Sequence, residues 1–131
     1  MVCYSCGQKT HVTNSRQLSR GNKVWRRREC ISCKIIFTSI ELIEYKDIIL
    51  VINSSNSIHK FSRDKLFLSI LSSMTHRKHS IDDAASITDT IISKLVKNGA
   101  ISPIKTSYIK ENALISLNRF DKVAATYYSA H

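Results

Sequence analysis

Three short runs of apolar and polar residues in the first third of the chain have strand-like composition and lie next to turn residues or the cysteine pairs, which predicts β-strands. The segment 19–22 has turn chemistry with Gly21-Asn22 at its apex, so the first two strands should form a hairpin. Asn14 and Ser15 are expected to bring the first strand toward that turn. The predicted strands cover residues 11–16, 23–28 and 35–41.

The pattern changes beyond residue 45. A continuous apolar run at 48–52 is typical of a buried strand, and the polar turn 53–57 leads into a short return strand at 58–61. From Ser62 onward apolar residues recur at spacings of three and four, which predicts helices. Helices are predicted to begin at Ser62, at Ser80, which forms a capping box with Asp83, at Thr106 and at Asp121. Asn98-Gly99 is the predicted stop of the second helix. The last helix is expected to bury Val123, Ala124 and one or both of Tyr127 and Tyr128.

All four cysteines lie in two matched pairs, Cys3-x-x-Cys6 and Cys30-x-x-Cys33, separated by a hairpin-length insert. Tetrahedral Zn²⁺ takes four thiolates at about 2.3 Å, and each C-x-x-C turn presents two of them. Gly7 supplies the positive φ that such a turn commonly needs. Two disulfides or a thioredoxin-like redox pair are the alternatives. The second pair favours one structural zinc, because a redox motif has no use for it.

These observations predict an α+β chain with two domains. Residues 1–44 should form a zinc ribbon, a small antiparallel sheet clamped by the ion, and residues 45–131 a mostly helical domain with a β-hairpin. The ribbon contains few apolar residues, so the metal should supply most of its folding free energy.

The chain carries a net charge of +10, which predicts a polyanionic partner. Residues 1–45 hold eight Lys and Arg against three acidic residues, and most of the basic ones lie on the ribbon hairpin. Arginine grips phosphate and reads guanine edges, so double-stranded DNA is the predicted partner, with a solvated charged face as the alternative. The candidate DNA contacts are Arg16, Arg20, Lys23, Arg26, Arg27 and Arg28.

Strand geometry divides these side chains between two faces. Arg26 and Arg28 should project to one face of the sheet, and Arg27 with Trp25 to the other. Each of the three arginines is expected to neutralise a phosphate. Trp25 either stacks on a base or sugar or, as the preferred interpretation, packs the ribbon's small core.

Several classes of protein do not fit this sequence. No catalytic set is evident, because the five histidines are scattered and no Ser/His/Asp or Cys/His arrangement is suggested, so an enzyme is not expected. No apolar stretch approaches a membrane span, and the first knuckle begins at Cys3, which leaves no room for a signal peptide. Paired cysteines without such a signal predict a reducing cytoplasm.

The chain resembles the NrdR family, bacterial repressors of ribonucleotide reductase genes in which a zinc ribbon precedes an ATP-cone. Beside the cysteine pairs, the resemblance rests on Asn14-Ser15-Arg16 and the run 24–30, Val-Trp-Arg-Arg-Arg-Glu-Cys. It extends through 37–41, Phe-Thr-Ser-Ile-Glu, and 61–66, Phe-Ser-Arg-Asp-Lys-Leu. Asp121-Lys122-Val123-Ala124 matches the family's D-x-V-A. Trp25 departs from it, since an arginine is usual there.

The resemblance implies a repressor whose ribbon binds paired operator boxes as a homo-oligomer in the bacterial cytoplasm, associated with the nucleoid when bound to DNA. It implies that the cone senses ATP and dATP. The candidate nucleotide contacts in this chain are Lys60, Lys65 and Tyr127. Two other functions stay open: a cone-type protein-interaction module with a docking ribbon, and an RNA-binding or transcription-factor-like ribbon whose helices contact proteins.

The cone departs from the family at its phosphate-binding turn. Relatives carry a lysine-bearing V-K-(K/R)-D-G turn, whereas residues 48–58 here contain no basic residue and no glycine. His59-Lys60 replaces E-P, Ala125 replaces a tyrosine, and Tyr127 replaces an arginine. We therefore predict that nucleotide binding is weaker than the resemblance implies, or absent, unless Lys60 substitutes for the missing lysine.

Overall fold

The computed structural model describes residues 1–19, 22–97 and 102–131. These residues form two compact units, Met1–Ile43 and Glu44–His131. The first contains antiparallel strands with the four cysteines, and the second is mostly helical. The α+β fold class expected from the sequence is confirmed.

The N-terminal unit is a three-stranded antiparallel sheet in the order β1-β2-β3. The expectation that Asn14 and Ser15 approach a turn is wrong, because they pair with Arg27 and Arg26 and the strand continues beyond them. Of the predicted turn, Asn22 has a positive φ of 47°, while Arg20 and Gly21 lie outside the described residues. The strands are β1 (Thr10–Leu18), β2 (Lys23–Cys30) and β3 (Ile36–Glu41).

The C-terminal unit contains a second sheet, in the order β5-β4-β6. Its strands are β4 (Leu50–Ile52), β5 (Ile58–Lys60) and β6 (Ile104–Lys105). β6 lies parallel to β4 and was not predicted, since two residues are too few to show a period. The apolar run is not buried throughout as expected. Ile49 is buried, but Ile48, which ends a single helical turn before the strand, and Leu50, which begins the strand, are 61% and 40% exposed.

Four helices complete this unit: α1 (Arg63–Ser72), α2 (Ser80–Lys97), α3 (Thr106–Phe120) and α4 (Lys122–Ala130). Ser62 caps α1 as predicted, its Oγ accepting from the Lys65 N–H at 3.2 Å. The core is formed mainly by apolar side chains of the helices, among them Ile70, Ile91, Leu95 and Leu117, together with Met74 just after α1, and all five are fully buried. None of the described helices combines the length and apolarity that crossing a membrane requires.

Several predicted helix signals differ from the structure. The Asp83 carboxylate accepts from Arg77 instead of completing a capping box with Ser80. Thr106 is the first residue of α3, and its hydroxyl donates to the Ile52 carbonyl at 3.2 Å. Val123 was expected in the core but is 53% exposed, whereas Ala124 is buried. Asn98-Gly99 lies outside the described residues.

Candidate metal centre and nucleic-acid interface

The four cysteines converge on one point of the N-terminal unit. Their sulfur atoms all lie within 4.8 Å of one another, with Cys3 and Cys33 at 3.7 Å and Cys6 and Cys30 at 3.4 Å. Four thiolates held tetrahedrally at 2.3 Å from zinc would lie about 3.8 Å apart. The cluster therefore has the size and the donor set for one Zn²⁺ ion.

The two cysteine turns share one backbone geometry. The Gly7 and Lys34 N–H groups donate to the carbonyls of Cys3 and Cys30, at 3.0 and 3.2 Å. Both donor residues have positive φ, 73° for Gly7 and 64° for Lys34. In each turn a backbone N–H also points at the first sulfur, from Ser5 to Cys3 and from Cys33 to Cys30, both at 3.4 Å. The turns thus hold the thiols in place through the backbone.

Ionisation of the cluster also fits a bound dication. The backbone N–H of Cys33 lowers the pKa of the Cys30 thiol to about 6, against the opposing effect of burial. The Ile35 N–H lowers the pKa of Cys33, but burial and the neighbouring thiols raise it more strongly, to about 12. Four crowded thiols do not all lose their protons at neutral pH unless a cation neutralises them, and zinc supplies that charge.

Gly7→Ala should destabilise the zinc-loaded N-terminal unit by about 1 kcal/mol, because a non-glycine residue at positive φ is strained. An added Cβ at Gly7 meets nothing within 4 Å, so no steric clash contributes. Lys34→Gly should have the opposite sign, since it relieves the equivalent strain at φ 64°. Guanidinium unfolding followed by Trp25 fluorescence measures both. A destabilising Lys34→Gly together with a neutral Gly7→Ala would contradict the strain argument.

The arginines of β2 project to opposite faces of the sheet, as their alternation predicts. On the first face Arg26 lies opposite Ser15 and Ser39, and on the second Arg27 lies opposite Asn14 and Thr38. We call the first the braced face and the second the open face. The braced face comprises Ser15, Arg26, Arg28, Phe37, Ser39 and Glu41. The open face comprises Asn14, Arg16, Trp25, Arg27, Thr38 and Ile40.

Both arginines of the braced face are held by their neighbours. Arg26 donates to the Ser15 hydroxyl and to the Glu41 carboxylate, each at 3.1 Å. Arg28 donates to the Ser39 hydroxyl at 3.0 Å and more weakly to Thr10 at 3.5 Å. Sequence reasoning missed these hydrogen bonds, because they depend on the register between strands.

The open face presents its guanidinium groups differently. Arg16 lies over the Trp25 ring, with 5.6 Å between its Cζ and the ring centroid. Arg27 is exposed, and none of the described residues forms a hydrogen bond or ion pair with its side chain. Trp25 is half-buried beside Ile40. The preferred interpretation that Trp25 only packs a core is therefore incomplete, because its ring also supports a cation.

Two candidate DNA contacts, Lys23 and Arg20, remain. Lys23 begins β2 opposite Leu18. Arg20 lies outside the described residues.

The structure does not bring the three candidate nucleotide contacts together in one described cleft. Lys60 is exposed on β5 and pairs with Asp47 at 3.1 Å. Lys65 is exposed in the first turn of α1. Tyr127, half exposed on α4, lines a cleft of about 730 Å³ to which neither lysine contributes. The cleft is lined by residues of α1, α3 and α4 and by His131, and these include Ser69, Ser72, Lys110 and Tyr128.

The β4–β5 turn satisfies its own polar groups. The Asn53 side-chain oxygen accepts from the Ser55 and Ser57 N–H groups at 3.0 and 2.9 Å, and from the Ser55 hydroxyl at 2.7 Å. Asn56, with φ 62°, donates its N–H to the Asn53 carbonyl. In a phosphate-binding turn, backbone N–H groups face the phosphate. In this turn the N–H groups of Ser55, Asn56 and Ser57 instead donate to Asn53.

Comparison with known proteins identifies similar chains. Residues 1–41 match the family described as "Transcriptional repressor NrdR-like, N-terminal domain". A protein of Fervidobacterium nodosum called transcriptional repressor NrdR is 35% identical over 125 residues, 95% of this chain and 80% of its own length. The protein of that name from Streptococcus sanguinis is 34% identical, over 94% of this chain and 78% of its own length.

Proposed function

Because the chain belongs to the NrdR family, we propose that it is a zinc-dependent, DNA-binding transcriptional repressor, with the ribonucleotide reductase genes as its targets. The observation that carries this proposal is the four-thiol site at one end of an arginine-rich sheet. Zinc fixes the two turns, the turns fix the strands, and the strands present guanidinium groups at a surface that suits a polyanion. The candidate DNA contacts are the basic residues of this sheet and its hairpin: Arg16, Arg20, Lys23, Arg26, Arg27 and Arg28.

The assembly proposed with this function is a homo-oligomer acting in the cytoplasm and at the nucleoid. Two copies of the ribbon then occupy two operator boxes, and their spacing reflects the symmetry of the oligomer. The helical unit supplies the contacts between copies.

Selection from a random DNA pool tests this function directly. The purified chain, loaded with zinc, should enrich a recurring sequence that appears as two related boxes at constant spacing. A single-stranded or double-stranded RNA pool of equal length serves as the control. Equal affinity for RNA, with no recurring DNA sequence, would favour the RNA-binding alternative over repression.

For the cone we propose weak binding of ATP and dATP. The β4–β5 turn carries no charged side chain. Two of the turn's backbone N–H groups, those of Ser55 and Ser57, already donate to the Asn53 side chain. Lys60, which would have to substitute for the missing lysine, is paired with Asp47. A triphosphate therefore finds few charged donors near this hairpin.

Isothermal titration of the intact chain with ATP and dATP measures the consequence. Two charge-assisted hydrogen bonds of about 1.5–3 kcal/mol each are missing, so the affinity should be lower by about 10²- to 10⁴-fold than a complete site gives. Dissociation constants of about a micromolar or tighter would contradict the proposal. In that case Lys60→Ala, compared with Lys46→Ala, shows whether Lys60 supplies the missing charge.

A further inference from the structure

We propose that the open face of the ribbon sheet is the surface that lies on DNA, while the braced face stabilises the sheet. This inference rests on the proposed DNA-binding function and narrows it. Arg16 and Arg27 make the phosphate contacts, and Trp25 positions Arg16. Arg26 and Arg28 hold the strands together.

The braced face has its cationic groups already engaged. Arg26 is bonded to a carboxylate, and its side chain is only 31% exposed. A phosphate that approached Arg26 would have to displace Glu41 and would be repelled by that carboxylate. Arg28 is half-buried and bonded to Ser39 across the strand pair. The charge of Arg26 is therefore already paired, and the N–H groups of Arg28 are partly used within the sheet.

The open face has its cationic groups available. Arg16 and Arg27 are both exposed, and neither forms an ion pair with a described residue. They are diagonal neighbours on adjacent strands, because Arg16 lies opposite Trp25 and Arg27 lies two residues further along. Such positions are roughly 7–8 Å apart, close enough for two long side chains to contact one phosphate backbone.

The surroundings of these two arginines add further DNA-compatible groups. Asn14 and Thr38 lie on either side of Arg27, and both are exposed. The acidic residue on this side of β2 is Glu29, which lies near the cysteine end of the strand, 3.8 Å from His11. No carboxylate stands among the six residues that define the open face.

Trp25 acts on Arg16 and is a positioning residue. A guanidinium over an indole ring is attracted by the ring's negative face and keeps its outer edge free for a hydrogen-bond acceptor. The stack restricts the Arg16 side chain before DNA arrives, which reduces the entropy lost on binding. Trp25 thereby raises affinity without adding a charge.

Two double variants with the same charge change separate the faces. Arg16→Gln/Arg27→Gln removes two charges from the open face, and Arg26→Gln/Arg28→Gln removes two from the braced face. Binding of the intact, zinc-loaded chain to a mixed-sequence DNA duplex is measured against salt concentration. The open-face pair should flatten the log–log slope by about 1.8, and the braced-face pair by less than about 0.9.

Trp25 has its own pair of variants. Trp25→Leu should weaken binding by about two- to fivefold with the salt slope unchanged. Trp25→Tyr, which keeps an aromatic ring under Arg16, should restore most of that loss. Equal losses for both variants would overturn the positioning role.

The outcomes separate this inference from the proposed function. If the wild-type chain binds DNA and the two double variants flatten the slope equally, or the braced-face pair more, the face assignment is wrong. If the wild-type chain shows no salt-dependent DNA binding, the proposed function fails first. The zinc content of each double variant shows whether its N-terminal unit is folded. If the braced-face pair loses zinc, the single variants Arg26→Gln and Arg27→Gln replace the comparison, and only Arg27→Gln should flatten the slope.

Discussion

Cys30→Ser is expected to unfold the N-terminal unit while the helical unit remains folded. Structural zinc contributes about 10–16 kcal/mol in small zinc domains, which is comparable with the 5–15 kcal/mol stability of a typical domain. Among the described residues of this unit only Cys3 and Cys30 are buried, so no apolar core replaces the ion. The zinc content should fall from one per chain to none.

Spectroscopy distinguishes the two units in the intact chain. Trp25 is the single tryptophan and lies in the N-terminal unit, so its fluorescence reports that unit, while helical circular dichroism reports the other. The matched control is Ser32→Ala, which changes an exposed residue of the same turn and should retain zinc. Full zinc retention by Cys30→Ser, with native Trp25 fluorescence, would refute the site assignment.

The second large effect concerns Asp121, where the α1–α2 loop contacts the α3–α4 junction. One carboxylate oxygen accepts from Arg77 at 2.7 Å and from His76 at 3.0 Å. The other oxygen caps α4 by accepting from the backbone N–H groups of Val123 and Ala124. The side chain is 11% exposed. Asp121→Ala removes the ion pair and the cap together, so it should lower the melting temperature of the helical unit by roughly 10 °C.

Asp121→Asn divides this effect into its parts. Asparagine caps a helix nearly as well as aspartate but carries no charge, so roughly half of the loss in melting temperature should remain. Lys122→Ala, at the neighbouring exposed position, is the control and should change little. If Asp121→Asn melts like the wild-type chain, the contact with Arg77 and His76 contributes nothing to stability.

Acid unfolding provides an independent measurement of the same contact. Arg77, His76 and the Ala124 N–H hold the pKa of Asp121 well below its usual range. A depressed carboxyl pKa stabilises the folded state above the unfolded value of about 3.9, and this stabilisation is lost as the pH falls below it. The helical unit should therefore lose stability less steeply below about pH 4 in Asp121→Asn than in the wild type. Equal pH dependence would contradict the assignment.

The metal centre could be predicted from sequence because its information is local. Two C-x-x-C turns each define two ligands, and Gly7 marks the backbone conformation that the first turn requires. The period of two also correctly separated Arg27 from Arg26. Strand alternation depends only on neighbours along the chain, so a single sequence contains it.

The difference between the two faces could not be predicted, because it depends on pairing between strands. A bulge between Val12 and Asn14 shifts β1 by one residue, and that shift decides which β1 side chains lie opposite Arg26 and Arg27. No sequence pattern marks the bulge.

Contacts of long sequence separation were missed for the same reason. Arg77 and Asp121 lie 44 residues apart, and the sequence indicated Asp121 as a helix end without connecting it to Arg77.

The most direct test of the central claim measures DNA binding while zinc is removed and restored. Fluorescence anisotropy follows the intact chain on a selected operator duplex, first as purified, then after a zinc chelator, then after one equivalent of Zn²⁺, with Mg²⁺ as the control. Binding should disappear with the metal, return with zinc and fail to return with magnesium, in step with Trp25 fluorescence. Undiminished operator binding by the metal-free chain would contradict the claim that zinc-dependent folding of the ribbon produces DNA recognition.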